Sequence, residues 1–328
     1  MPYSFVFYDL TSHPMIRVTI AIVTYRSTAE LPDCLDSILA SDIPTKVVVI
    51  DNSPPGDGSL AIAQEYARKH PNIVALSSGG NIGLAAANNL VMPHAVGDFT
   101  LMLNPDSILR PNTISTMIAM MDADSSIGIV GPRHVYGNGE ACSSYSRSWN
   151  LGHIVLWRVL PYSLTRRLHD SLAHYQDADV FYVSGSCLLI RAQLFRDIGG
   201  YDPAFFLTIE DVCDLCRRVK ERGHRVVFSG QTELTHYCSR SGDQVRYLAI
   251  LSGYKGSIYY FTKYNGTLGG LLAYLIVTIG CVGKIFFSLL KTLFLRRLVD
   301  REHLNVYAQI LGQLLRHGPA IARPEVAA

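Results

Sequence analysis

Short apolar runs alternate with helical segments over the first hundred residues, and nothing else in the chain limits its fold as tightly. Residues 18–25 (VTIAIVTY) are β-branched and aromatic, the composition of a buried strand. Residues 29–39 follow with Leu31, Leu35, Ile38 and Leu39 on one helical side. Residues 46–50 (KVVVI) form a second strand, ended by the turn cluster Asp51-Asn52-Ser53-Pro54-Pro55-Gly56. A helix over 60–69, a strand over 73–76 and a small-residue helix over 84–91 come next, then a strand over 99–103 ending in Asn104-Pro105-Asp106. The pattern predicts an α/β fold, a Rossmann-like and mostly parallel sheet with helices on both faces. Ligands of such sheets sit outside the carboxyl ends of the strands. Tyr25, Asp51, Asn81 and Asp106 lie there, one after each strand, and suit a nucleotide or a metal.

Further on, residues 180–190 (VFYVSGSCLLI) read as a strand pair and 192–198 as a short helix. The turn Gly199-Gly200-Tyr201-Asp202 leads to an acidic helix start at Glu210-Asp211. A strand over 225–228 precedes a loop holding His236, and beyond 246 the pattern is helical and apolar.

Charged residues are 17% of the 328, which excludes a disordered chain or a solvated rod. Twenty-nine Lys/Arg against 27 Asp/Glu argue against a nucleic-acid binder. The balance is uneven: residues 255–317 hold eight Lys/Arg and two acids, a net of +6, leaving about −4 for residues 1–254. The acidic part suits polar chemistry, and the basic, apolar part a membrane surface or an acidic partner. Seven scattered cysteines give no disulfide framework, and residues 1–14 resemble no secretory signal, so a reducing cytosolic location is expected.

A dinucleotide site needs Gly-x-Gly-x-x-Gly after the first strand, where Arg26-Ser27-Thr28-Ala29 stands instead. A phosphate-binding Gly-x-x-x-x-Gly-Lys-Ser/Thr is missing too. A carboxylate with a divalent cation is the alternative way to hold a diphosphate.

Val23-Thr24-Tyr25, Val48-Val49-Ile50-Asp51-Asn52-Ser53, Asn81-Ile82-Gly83-Leu84-Ala85-Ala86-Ala87-Asn88, Leu103-Asn104-Pro105-Asp106, Gly199-Gly200-Tyr201-Asp202 with Glu210-Asp211, and His236 resemble, in that order, the family 2 inverting glycosyltransferases. The nearest branch is the rhamnosyltransferase-like one of bacterial surface polysaccharide synthesis, and the resemblance covers residues 17–265. It implies a GT-A fold, a nucleotide-diphosphate sugar donor (dTDP-rhamnose or a UDP-sugar), a divalent metal (Mg2+ or Mn2+) and a lipid-linked or saccharide acceptor. A non-catalytic nucleotide-sugar-binding protein is the competing class.

The resemblance assigns Thr24, Tyr25, Asp51, Asn81, Asn88 and Asn104 to the donor. Core packing is the plainer reading of Tyr25, an Asx-turn that of Asp51, and close helix packing that of Gly83 and Ala85–Ala87. Asp106 corresponds to the last carboxylate of the family's Asp-x-Asp and is the expected metal ligand, against a turn or cap role. His236 is a metal ligand or diphosphate contact, or a structural histidine. Asp211 matches the family's base; its place at a helix start predicts an ionised carboxylate, and simple capping is the alternative. Glu210, Asp214 and Gly185 are assigned to the acceptor side. Asp214 falls three residues after Asp211 where the family has two, a turn of about 100° on a helix. Cys213 and Cys216, with His236 and Cys238, also admit a zinc site, although the pair falls on a predicted helix.

Residues 1–14 read as an arm, 15–245 as the glycosyltransferase domain, 246–317 as a helical membrane-associating region and 318–328 as a flexible tail. Residues 268–290 hold one charge, Lys284, and as a helix would be about 34 Å long. Lys291, Arg296, Arg297 and Arg301 follow as a basic flank. A monotopic or re-entrant anchor on the cytoplasmic face of the inner membrane is expected, with a buried helical hairpin or homodimer contact as the alternative.

Overall fold

The structure is a computed structural model that describes residues 15–160, 165, 176–237, 246–295 and 301–322. The expected arm, Cys238, Arg296 and Arg297 lie outside the described residues. Among the described residues there are twelve strands: β1 Val18–Thr24, β2 Thr45–Asp51, β3 Ile73–Ser77, β4 Phe99–Leu103, β5 Ser107–Leu109, β6 Ile127–Val135, β7 Ala141–Cys142, β8 Tyr145–Ser146, β9 Ala178–Asp179, β10 Tyr182–Val183, β11 Cys187–Arg191 and β12 Arg225–His236. The helices are α1 Leu31–Leu39, α2 Ser59–Lys69, α3 Leu84–Asn89, α4 Thr113–Ala123, α5 Leu151–Ile154, α6 Ala192–Asp197, α7 Glu210–Glu221, α8 Arg246–Leu295 and α9 Arg301–His317.

The main sheet runs β3-β2-β1-β4-β11-β6-β12-β5. β1 pairs in parallel with β2 and β4, and β2 with β3, so all four of these strands point their carboxyl ends to one edge. β11 then inserts antiparallel between β4 and β6. The strand predicted over 225–228 runs on to His236, crossing a register shift between Ser229 and Glu233. His236 is therefore the last residue of a strand rather than part of a loop, and it pairs with Ser107 of β5.

β1 is buried along its whole length because both faces are covered. Val18, Ile20 and Ile22 join a core with Leu31, Leu35 and Met117, while Ala21 and Val23 join the opposite core with Phe205, Leu215 and Phe228. Packing of the second face is tight where β6 passes beneath β10. A Cβ on Gly131 would lie 2.6 Å from Val183 Cβ. Gly131→Ala should cost about 1–3 kcal/mol through overpacking, read as a lower urea midpoint with an unchanged slope.

The C-terminal region is not one straight span. α8 is broken at Gly266, whose φ of 68° is left-handed. Lys284 Nζ lies 5.9 Å from the Tyr254 ring. Thirty residues of straight helix would separate them by about 45 Å, so the second half turns back along the first. α9 closes the assembly, with Cys281 Sγ 3.3 Å from Tyr307 O and Tyr274 Oη 3.2 Å from Leu314 O. Ordered structure continues past the expected start of the tail: Gly318–Ala322 is a 3₁₀ turn with Ile321 buried.

Candidate active site

The edge formed by β1, β2 and β3 carries a fixed polar cluster. Thr24 Oγ1 donates to Asp51 Oδ1 at 3.0 Å, and the Ser53 amide reaches the same oxygen at 3.4 Å. Asp51 thus closes an Asx-type turn at the strand end. Asn81 Oδ1 accepts from Gly83 N at 3.1 Å and from Asn52 Nδ2 at 3.2 Å, which anchors the loop after β3 to the loop after β2. Gly83 has φ 89°, and a Cβ there would meet Phe206 at 2.8 Å, so close packing accounts for this glycine. Tyr25 is half-buried, with the Arg26 guanidinium 5.7 Å from its ring centroid. Asn88 is buried on α3.

Asp106 and His236 meet at the end of β4. Antiparallel pairing of β5 with β12 sets Ser107 against His236, and His236 Nε2 lies 3.2 Å from Asp106 Oδ1. The Tyr237 amide donates to the Asp106 carbonyl at 3.1 Å, and the Asn104 amide to Ser186 O at 2.9 Å. His134 packs edge-on to His236 with ring centroids 5.6 Å apart. One carboxylate and one imidazole converging on a point suit a divalent cation whose other ligands come from a diphosphate and water. Among the described residues no three His, Cys, Asp or Glu side chains form a metal cluster. Cys213 and Cys216 are fully buried in the core on α7, and burial pushes the Cys216 thiol up to about 12. Both side chains pack in the core between α7 and the sheet.

Asp211 lies in the first turn of α7, 5% exposed, and lines a pocket of about 290 Å³ with Asn104, Gly185, Trp157, Tyr182 and His236. Burial raises its carboxyl to about 8; the Val212 amide donates to Oδ1 and lowers it, while Glu210 and Asp214 raise it further. The expectation of an ionised carboxylate at the helix start is corrected: desolvation exceeds the helix-end effect.

Glu210 and Asp214 do not reach the pocket. Glu210, 0% exposed, accepts from Arg158 Nη2 at 3.2 Å and from Ser257 Oγ and Thr208 Oγ1. Asp214, also 0% exposed, accepts from Lys263 Nζ at 2.6 Å, Arg218 Nε at 2.7 Å and Tyr264 Oη at 2.7 Å. The acceptor-side assignment of both is corrected to a structural one: they fasten α7 to α8, because a fully buried carboxylate needs such partners. The structure therefore gathers Asn104, Gly185, Asp211 and His236 around one pocket and holds Asp106 against His236. Thr24, Asp51 and Asn81 form a separate linked cluster at the β1–β3 edge. Sequence reasoning missed Trp157, whose segment carries no periodicity, and Tyr182, whose run reads as strand with nothing to mark it as a site residue.

The mixed α/β sheet with helices on its faces is the GT-A fold, as its alignment with a solved member shows. The structure aligns with that of the mannosyltransferase PcManGT from Pyrobaculum calidifontis in complex with GDP-Man and Mn2+, at a TM-score of 0.54 and 16% identity, covering 93% of this chain and 87% of that one. The family model Glycosyl transferase family 2 matches residues 19–199, and the chain belongs to that family. It is 28% identical over 243 residues to the N-acetylglucosaminyl-diphospho-decaprenol L-rhamnosyltransferase of Mycobacterium tuberculosis, covering 68% of this chain and 76% of that protein. It is 26% identical over 238 residues to the rhamnosyltransferase WbbL of Escherichia coli K12, covering 67% of this chain and 83% of that protein. The chain is a glycosyltransferase. Asp211 and His236 lie beyond the residues the family model matches.

Proposed function

We propose that this glycosyltransferase moves rhamnose from dTDP-rhamnose, or a hexose from a UDP-sugar, to a hydroxyl of a lipid-linked or saccharide acceptor, with inversion. The observation that carries the reading is Asp211, a buried carboxylate raised to about 8, in one pocket with Asn104 and His236. A base whose proton affinity is near working pH is the most effective kind. Asp211 takes the acceptor's hydroxyl proton as that oxygen attacks the anomeric carbon and the bond to the nucleotide diphosphate breaks. Tyr25, Asp51 and the Asn81 loop hold the nucleoside, with Thr24 fixing Asp51. Asp106 and His236 hold Mg2+ or Mn2+, which when bound offsets the charge of the diphosphate. The Mn2+ in the mannosyltransferase complex and the lipid diphosphate in the name of the M. tuberculosis relative favour this reading.

The catalytic domain spans 15–245, and the helical region seats it on the cytoplasmic face of the inner membrane. By length and composition alone the stretch Tyr247–Leu290 passes for a bilayer span, but the break at Gly266 divides it. Its second half packs one side on the protein, with Lys284 Nζ 5.3 Å from the Tyr307 ring and therefore facing inward. The other side leaves Leu268, Ile279 and Phe286 68%, 63% and 62% exposed. A helix packed on one side and bare and apolar on the other offers that bare side to a lipid or protein surface.

Isothermal titration with dTDP and UDP in Mn2+ tests the donor side; binding of neither would sink the reading. Asp106→Asn should abolish the Mn2+-dependent part of nucleotide binding, a loss of ten-fold or more. Equal affinity with and without Mn2+ in the wild type would remove Asp106 from a metal role.

A further inference from the structure

The pocket beside Asp211 is larger than a base needs. Trp157, Tyr145 and Tyr182 line it together with Ser143, Ser144 and Ser184. Trp157 lies in a π-helical turn, Val155–Val159. Such turns are rare and recur at functional sites.

The turn is held from several directions. Arg158 Nη2 lies 3.2 Å from Glu210 Oε1 and donates to Gly253 O at 2.9 Å. Its backbone meets the second half of α8 so closely that a Cβ on Gly280 would come within 2.4 Å of the Arg158 carbonyl. Trp157 precedes Arg158 and Asp211 follows Glu210, so one ion pair fixes the indole and the carboxylate relative to each other. Asp106 and His236, the diphosphate-facing pair, belong to different elements, at the ends of β4 and β12.

A pyranose ring presents an apolar face of C–H groups and a rim of hydroxyls. Aromatic faces and serine hydroxyls complement those two surfaces. The acceptor hydroxyl must come within hydrogen-bond reach of the Asp211 carboxylate, so the wall beside Asp211 meets the acceptor. From these contacts we propose that this aromatic and serine wall is the subsite for the acceptor's terminal sugar ring, with Trp157 as its stacking platform. The inference rests on the glycosyltransferase reading with Asp211 as base. Arg158 is then a positioning residue that ties the platform to the base. The same turn abuts α8, whose outer side is the exposed apolar stripe, so a sugar carried on a lipid approaches from that side.

The chain holds two tryptophans, and Trp149 is buried. Octyl β-glycosides of N-acetylglucosamine, glucose and galactose serve as probes of the subsite. At least one should change wild-type tryptophan emission saturably, with saturating dTDP or UDP present, and should leave Trp157→Phe unchanged. In transfer assays Trp157→Ala should raise the acceptor KM about ten-fold or more, and Trp157→Phe should recover most of that. Donor KM should stay at its wild-type value. A wild-type acceptor KM in Trp157→Ala, a rise in donor KM instead, or no emission change with any glycoside overturns the subsite. Wild-type protein that releases no nucleotide diphosphate from any donor overturns the glycosyltransferase reading instead, and the emission titration still judges the subsite.

Discussion

Replacing Asp211 with Asn should lower sugar transfer about 10²–10⁴-fold, the usual contribution of a general base, while nucleotide binding is unchanged. Asn is nearly isosteric and keeps an oxygen for the Val212 amide, which donates to Asp211 Oδ1. Wild-type transfer should rise with pH, reach half its maximum near 8 and level off about a unit above that, because only the ionised carboxylate accepts a proton and burial holds the group at about 8. A second readout separates loss of chemistry from loss of fold. The carboxyl's ordinary value is 3.8. Between about pH 4 and 8 the unfolded chain has released a proton that the folded protein keeps. The stability this group contributes is thus fully present below about pH 4 and is lost as pH rises through 8. Asn carries no such penalty, so the melting temperature of Asp211→Asn should exceed the wild type's by more at pH 9 than at pH 5. Normal transfer by Asp211→Asn with a dead Asp214→Asn would move the base to Asp214. The buried contacts of Asp214 to Lys263 and Tyr264 argue against that outcome.

The sheet was legible because its first four strands are apolar runs punctuated by turn residues, and β1 to β4 stand where those runs are. The strand-end rule also sets Tyr25, Asp51, Asn81 and Asp106 at or just after the ends of β1 to β4, and that is where they lie. Other features depend on partners far along the chain. Glu210 and Asp214 look like site acids in sequence, beside Asp211 in an acidic first turn. Only the arrival of Arg158, Ser257, Lys263 and Tyr264 turns them inward. The proton affinity of Asp211 was misjudged for the same reason, since local sequence reports a helix start but not the depth of burial. His236 reads as a loop residue in sequence because Gly230 and the register shift after Ser229 interrupt the strand pattern. Trp157 sits in a five-residue π turn, too short to show a period.

Ile279→Glu with Phe286→Glu should release the protein from anionic vesicles. Both side chains are more than 60% exposed, so the folded state loses little by the exchange. Burying each in lipid is worth about 1.5–3 kcal/mol. Losing both costs about 3–6 kcal/mol, or about 10²–10⁴ in partitioning at 1.4 kcal/mol per ten-fold. Cutting the chain after Gly266 is a poorer test. That cut removes Ala273, Val277 and Cys281 from a buried seam, along with the Gly280 contact to Arg158, and would unseat the catalytic pocket as well. The residual binding of the double variant should be salt-sensitive, since residues 255–317 carry a net of +6 and each basic group near an anionic surface adds about 1 kcal/mol that salt screens. Vesicle sedimentation at 0.05 and 0.5 M salt separates the two contributions. Unchanged pelleting of the double variant at high salt would mean that the stripe is not the membrane face, and a shift from dimer to monomer in light scattering would assign it to a second copy of the chain.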